Sequence, residues 1–217
     1  MFGYSHSGAA KIARKSPAQA RSRETVATIL EAAAHVLARR GYAGVTTNHV
    51  AQRAGVSIGS IYQYFPDKEA LLAALVGRDM QSAQRAMLAA LVHLRDPELT
   101  PLVWCRGLVR AWCDAHADAH QHALYAISAA LPGVREHAEV VLGGVSAEIA
   151  RQLRRRGVAR PALRARVLLL IAFGLVHELV IALPHGAARR RAEREAAAAM
   201  AAYLGSVLPQ HRRERKG

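Results

Sequence analysis

The stretch from Gly41 to Leu71, GYAGVTTNHVAQRAGVSIGSIYQYFPDKEAL, ends and restarts a helix three times within a few turns. Ahead of it, Val26, Ile29, Leu30, Ala33, Val36 and Leu37 recur at the spacing of three and four that marks an amphipathic helix. Gly41, just after Arg39 and Arg40, stops that helix. Thr46 or Thr47 then caps a short helix through Ala54, Gly55 ends it in a left-handed turn, and Ser57 caps another through Phe65. Pro66 breaks the chain and Asp67 caps a long helix with an apolar stripe of Leu71, Leu72, Leu75, Val76, Met80, Met87, Leu88 and Leu91. Two short helices on either side of a tight turn, locked together through Val50, Ala51, Ala54, Val56 and Ile61, have the layout of a helix-turn-helix.

The rest of the chain is equally poor in strand formers. Of 217 residues, 45 are alanine and the aromatics make up 5%, so the supply that strands draw on is thin. Beyond Asp96 and Pro97 the pattern predicts five more helices, over 98–117, 119–131, 133–156, 161–183 and 187–208. That makes an all-α fold of about nine helices. In the first of the five, Leu102, Cys105, Val109, Trp112 and Cys113 form one apolar stripe and Trp104, Leu108, Ala111 and Ala115 another, leaving Arg106, Arg110 and Asp114 as the wet face. Such a helix is central in its bundle. The last two helices carry candidate dimer faces, Leu163, Val167, Leu170, Gly174 and Ile181 on one and Ala192, Ala196, Ala199 and Tyr203 on the other.

Thirty Lys and Arg against 16 Asp and Glu give a formal charge of +14, which points to nucleic acid or another polyanion as partner. The second short helix leaves a face of Gly59, Ser60, Gln63 and Tyr64 with Tyr62 beside it, small, polar or aromatic and able to approach base edges. Lys68 opposes the dipole at a helix start, a position that a phosphate would explain.

From Ile29 to Leu75 the residues resemble the DNA-binding domain of the tetracycline-repressor family: Gly-Tyr at 41–42, Thr-Thr at 46–47, Ala-Gly-Val-Ser at 54–57, Tyr-x-Tyr-Phe at 62–65 and Lys-Glu at 68–69. The resemblance implies that Ser57 to Tyr64 form the recognition helix. It implies that Thr47, Tyr62, Tyr64 and Lys68 bind phosphates and that Asn48, Gly59, Ser60 and Gln63 approach bases. The faces on the last two helices predict a homodimer, whose twofold symmetry demands a palindromic double-stranded operator. The expected organisation is a mobile basic arm over 1–22, a DNA-binding domain over 23–66, a helical regulatory and dimerisation domain over 67–208 and a basic tail over 209–217. The resemblance fades after the fourth helix, so the effector class does not transfer with the fold. Trp104, Trp112, Tyr125, Phe173 and His177 are the residues expected to line a site for a small, mostly apolar effector.

Other signals point elsewhere or nowhere. Gly55-Val56-Ser57-Ile58-Gly59 satisfies a hydrolase elbow pattern, but that motif needs a strand before the serine and here a helix precedes it. Asp114, His116, Asp118, His120 and His122 are metal-ligand types without a fixed third ligand; they read as a polar helix end, and no metal or cofactor is expected. Cys105 and Cys113 lie too far apart along one helix for a disulfide and read as buried thiols. Arg154 to Arg156 and Arg189 to Arg191 read as helix-end charges and solvated surface. No signal-peptide core is visible, and the longest apolar run, Val167 to Leu183, is interrupted by His177 and Glu178, so no membrane span and a cytoplasmic location are expected. The function expected is a non-enzymatic, ligand-responsive transcriptional repressor. The alternatives are a dimeric DNA-binding protein without effector and a helical enzyme using the His-Asp segment.

Overall fold

The computed structural model describes residues 17–209 apart from 97, 117, 118, 129, 132, 182 and 185, and all regular structure among them is helical. Most of the expected arm and tail, residues 1–16 and 210–217, lies outside the described residues. Among the described residues nine α-helices follow in order: α1 Pro17–Gly44, α2 Thr47–Ala54, α3 Ile58–Tyr64, α4 Lys68–His93, α5 Pro101–Ala115, α6 Ala119–Ser128, α7 Val134–Arg155, α8 Pro161–Gly174 and α9 Ala187–Val207. Helix α1 thus starts at Pro17, inside the stretch expected to be an arm.

Local chemistry sets the breaks around α2 and α3. Gly41 takes φ 64° and ψ −179° and kinks the end of α1, a conformation open to a residue without Cβ. The hydroxyl of Thr46 accepts from the His49 amide at 3.1 Å, which makes Thr46 the cap of α2 and leaves Thr47 inside the first turn. Gly55 closes α2 at φ 70°, Ser57 accepts from the Ser60 amide at 3.0 Å, and Asp67 accepts from the Ala70 amide at 2.6 Å.

Two apolar cores form. One joins Ile29, Leu37, Val50, Ile61, Phe65 and Leu71 to Leu124 of α6 and Val134 of α7, so the N-terminal helices are sealed by elements from beyond residue 66. The other gathers Leu91, Trp104, Leu108, Ile149, Leu168 and Met200. Helix α4 serves both, with Leu71 to Val76 in the first and Met87 and Leu91 in the second. Helix α5 lies between α4 and α9, as a helix apolar over most of its circumference must.

Three expectations are corrected. The pattern predicts one helix over 161–183, but after Gly174 the chain widens into a π-helical segment, Leu175–Ile181. Within it Val176 and His177 are both buried. On α9, Ala192 and Ala196 are buried against the rest of the bundle, so the predicted dimer face is split; Ala199 stays exposed, and Tyr203 accepts a hydrogen bond from Arg164 at 3.1 Å. Arg189 is buried rather than solvated and pairs with Glu193 at 3.6 Å. On α8, Leu163 is 52% and Leu170 64% exposed.

Candidate nucleic-acid interface

Helix α3 buries Ile61, partly covers Ser60 and Tyr64, and turns Ile58, Gly59, Tyr62 and Gln63 outward. Tyr62 is 54% exposed, and its hydroxyl lies 3.4 Å from that of Thr47, so two hydroxyls from two helices meet at one point. A hydroxyl pair of this kind can donate to one phosphate oxygen. Asn48, Gly59 and Gln63 are exposed on the same pair of helices, and the Ser60 hydroxyl is tied at 2.8 Å to that of Ser57. Tyr64 differs from Tyr62: it is half-buried and packs on the core beside Phe65, with ring centroids 6.5 Å apart.

Lys68, in the first turn of α4, holds its ammonium 3.9 Å from the centroid of the Tyr42 ring, and the Tyr42 hydroxyl donates to Glu69 at 3.3 Å. A cation over an aromatic face is held in place without being neutralised, so Lys68 keeps its charge for an anion. Tyr42 is not among the site residues expected from the sequence. Its position in the Gly-Tyr motif was the available signal. His49 was missed as well: its Nε2 accepts from Arg40 at 2.9 Å, which leaves Nδ1–H to donate to the Gly44 carbonyl at 3.0 Å.

Four of the five residues expected around an effector do come together. Trp112 donates from Nε1 to His177 Nε2 at 3.2 Å, Tyr125 stacks on His177 at 4.3 Å and Phe173 lies 4.5 Å from it. His116 completes the group at 4.9 Å from His177. Burial holds the His116 imidazolium below its ordinary range, against the Nδ1–H bond to the Trp112 carbonyl and the charge of Asp79, which both favour it. Burial and the Glu178 carboxylate, which accepts from the Tyr125 hydroxyl at 3.3 Å, push that phenol up. Trp104 is elsewhere. It is fully buried, donates to Gln152 Oε1 at 3.1 Å and lies beneath the Arg156 guanidinium.

The His-Asp segment is spread out. His120 pairs with Asp79 of α4 at 2.6 Å, His116 joins the aromatic group, and Asp118 and the His122 side chain lie outside the described residues. Among the described residues no group of three or more His, Cys, Asp or Glu is placed to hold a metal ion. Burial pushes the Cys105 thiol up to about 12 and Cys113 up to about 11, the latter with help from Glu193. No helix among the described residues is long and apolar enough to cross a membrane.

Residues 29–75 match the profile of bacterial regulatory proteins of the tetR family. The HTH-type transcriptional repressor KstR of Mycolicibacterium smegmatis is 38% identical over 31% of this chain and 35% of its own length. The HTH-type transcriptional regulator BetI of Paraburkholderia phytofirmans is 37% identical over 44% of this chain and 45% of its own. The chain therefore aligns with less than half the length of these curated relatives. Among solved structures, a TetR-family transcriptional regulator from Mesorhizobium loti superposes with a TM-score of 0.69 at 21% identity, covering 87% of this chain and 99% of the other. The multidrug binding protein EbrR in complex with imidazole gives 0.63 at 24% identity, over 85% of this chain and 94% of its own.

Proposed function

We propose, from the match of residues 29–75 to the profile of the tetR family of bacterial regulatory proteins, that the chain is a dimeric, ligand-responsive repressor that leaves a palindromic operator when a small apolar effector binds. The carrying observation is the outward face of α3, where Gly59 and Gln63 are flanked by the Thr47–Tyr62 hydroxyl pair. In this reading Gly59 lets the backbone approach the bases, Ser60, Gln63 and Asn48 meet base edges, and Thr47, Tyr62, Tyr64 and Lys68 hold phosphates. Two copies meet through the α8 face that carries Leu163 and Leu170, and twofold symmetry sets the two half-sites about one helical turn, or a multiple, apart.

Release runs through α6 and α4. Helix α6 carries Tyr125 onto His177 in the regulatory core, Leu124 into the core of the N-terminal helices and His120 onto Asp79 of α4. An effector that parts Tyr125 from His177 displaces α6, moves α4 as a lever and changes the separation of the two recognition helices. Only a difference in effector affinity between the two arrangements drives this shift. Selection from a randomised duplex library tests the reading: it should recover inverted half-sites with the wild-type protein and altered ones with Gln63→Ala. Failure to enrich any sequence would count against it.

A further inference from the structure

Away from α3, the N-terminal unit carries a cleft of about 530 Å³ between α1 and α2. Its polar lining is His35, Arg39 and Arg40 from α1 and His49, Gln52 and Arg53 from α2. Among the described residues no carboxylate lines it, and none of their ion pairs involves Arg39, Arg40 or Arg53. A place near a helix C-terminus accounts for each arginine singly. It does not account for their convergence, since like charges around one concavity repel unless an anion lies among them. One of the three is also held in place: Arg40 donates to His49 Nε2 at 2.9 Å while the other imidazole nitrogen is fixed on the Gly44 carbonyl. A single neutral acceptor uses one of the five N–H donors of that guanidinium.

We propose that this cleft clasps the sugar-phosphate backbone of the bound duplex outside the base pairs faced by α3, so that each protomer holds flanking DNA as well as its half-site. The proposal rests on the DNA-binding reading above. Charge complementarity favours this occupant, and so does continuity: α2 begins with Thr47 and Asn48 on the DNA face, and Gln52 and Arg53 follow roughly 7 Å further along the same helix. Duplex DNA carries a phosphate charge about every 1.7 Å of its axis, so the backbone beyond the half-site offers the cleft a dense row of anionic oxygens. Planar guanidinium forks suit phosphate oxygens, and the contacts carry no base information.

The test compares two duplexes built on the sequence recovered by selection, one trimmed to the two half-sites and one extended by several base pairs on each side. Binding is measured across a salt series for the wild type, for the Arg39→Ala, Arg53→Ala double variant and for the corresponding double lysine variant. The wild type should bind the extended duplex with the steeper dependence of log affinity on log salt. The alanine variant should lose about 0.9 of that slope for each phosphate contact removed, on the extended duplex alone. The lysine variant should recover most of it, and unchanged binding of the trimmed duplex shows that each variant is folded. Equal slopes on both duplexes for the wild type, or equal weakening of both by the alanine variant, would overturn the clamp while leaving the α3 reading intact. Binding to neither duplex would overturn both.

Discussion

Tyr62 and Lys68 reach outward from short, well-capped helices, and their expected contacts differ in kind from that of Gln63. Tyr62→Phe and Lys68→Ala should weaken binding to all duplex sequences about equally, and Lys68→Ala, which removes a charge, should also lower the salt slope by about 0.9. Gln63→Ala should instead redistribute preference among base pairs, read by competition between duplexes. An unchanged slope for Lys68→Ala would refute its phosphate role. The cysteines should be inert, since burial pushes both thiols far above neutrality and the thiolate is the reactive form. Thiol labelling at about pH 8 should therefore wait for denaturant, and prompt labelling of the folded protein would show that either site opens. The parts of this surface that depend on neighbours in sequence could be read before the fold. Caps at Ser57 and Asp67 and the stop at Gly55 are local, because a side chain reaches its own helix's free amides. Which of Thr46 and Thr47 caps α2 was left open, and the Lys68–Tyr42 contact, across 26 positions, had no local signature.

Between elements, the polar links inside the bundle are the ones whose loss should be felt most. Gln152 accepts from Trp104 Nε1 and donates to the Leu91 carbonyl at 2.7 Å, tying α7 to α5 and α4, and it also donates to the buried Glu148. Burial alone would raise the Glu148 carboxyl, but hydrogen bonds and charge from Arg151, Gln152 and Arg95 outweigh it and hold it below its usual range. Gln152→Leu strands an indole N–H and a carbonyl away from water, and should cost about 1 to 3 kcal/mol, read by thermal or denaturant unfolding. The aromatic group makes a pH prediction. His116 has a lower pKa folded than unfolded, so the unfolded chain holds the proton more tightly. Its contribution to stability is full above the unfolded value of about 6.5 and is lost as pH falls through the folded one. The melting temperature should drop between about pH 7.5 and pH 5, and His116→Phe should remove part of that drop; an identical profile would show that His116 plays no part. Periodicity identified α5 as a central helix, but it reports which face is buried and not against which neighbour. That is why the attachment of α6 to α1, the inward turn of the α9 alanines and the convergence of Arg39, Arg40 and Arg53 were not legible. The π-helical segment was hidden for a related reason, since a run of apolar residues has the same composition in either winding.

For the molecule as a whole, assembly turns on the exposed leucines of α8 and release on helix α6, which puts Leu124 into the N-terminal core and stacks Tyr125 on His177. Leu170→Glu should convert a dimer into a monomer by light scattering and abolish binding to paired half-sites while sparing helix content; a variant that remains dimeric would move the interface off α8. In the proposed mechanism operator and effector sites are coupled through α6, and linkage makes this measurable from either side. The direct measurement takes a compound that stabilises the protein in a thermal-shift screen and quenches tryptophan fluorescence, and determines its affinity with operator duplex absent and saturating, and operator affinity with the compound absent and saturating. A coupling of about 1 to 3 kcal/mol predicts that each ligand weakens the other by the same factor, roughly 5 to 150. Compounds that bind tightly yet leave operator affinity unchanged, and are themselves bound equally with and without DNA, would contradict it.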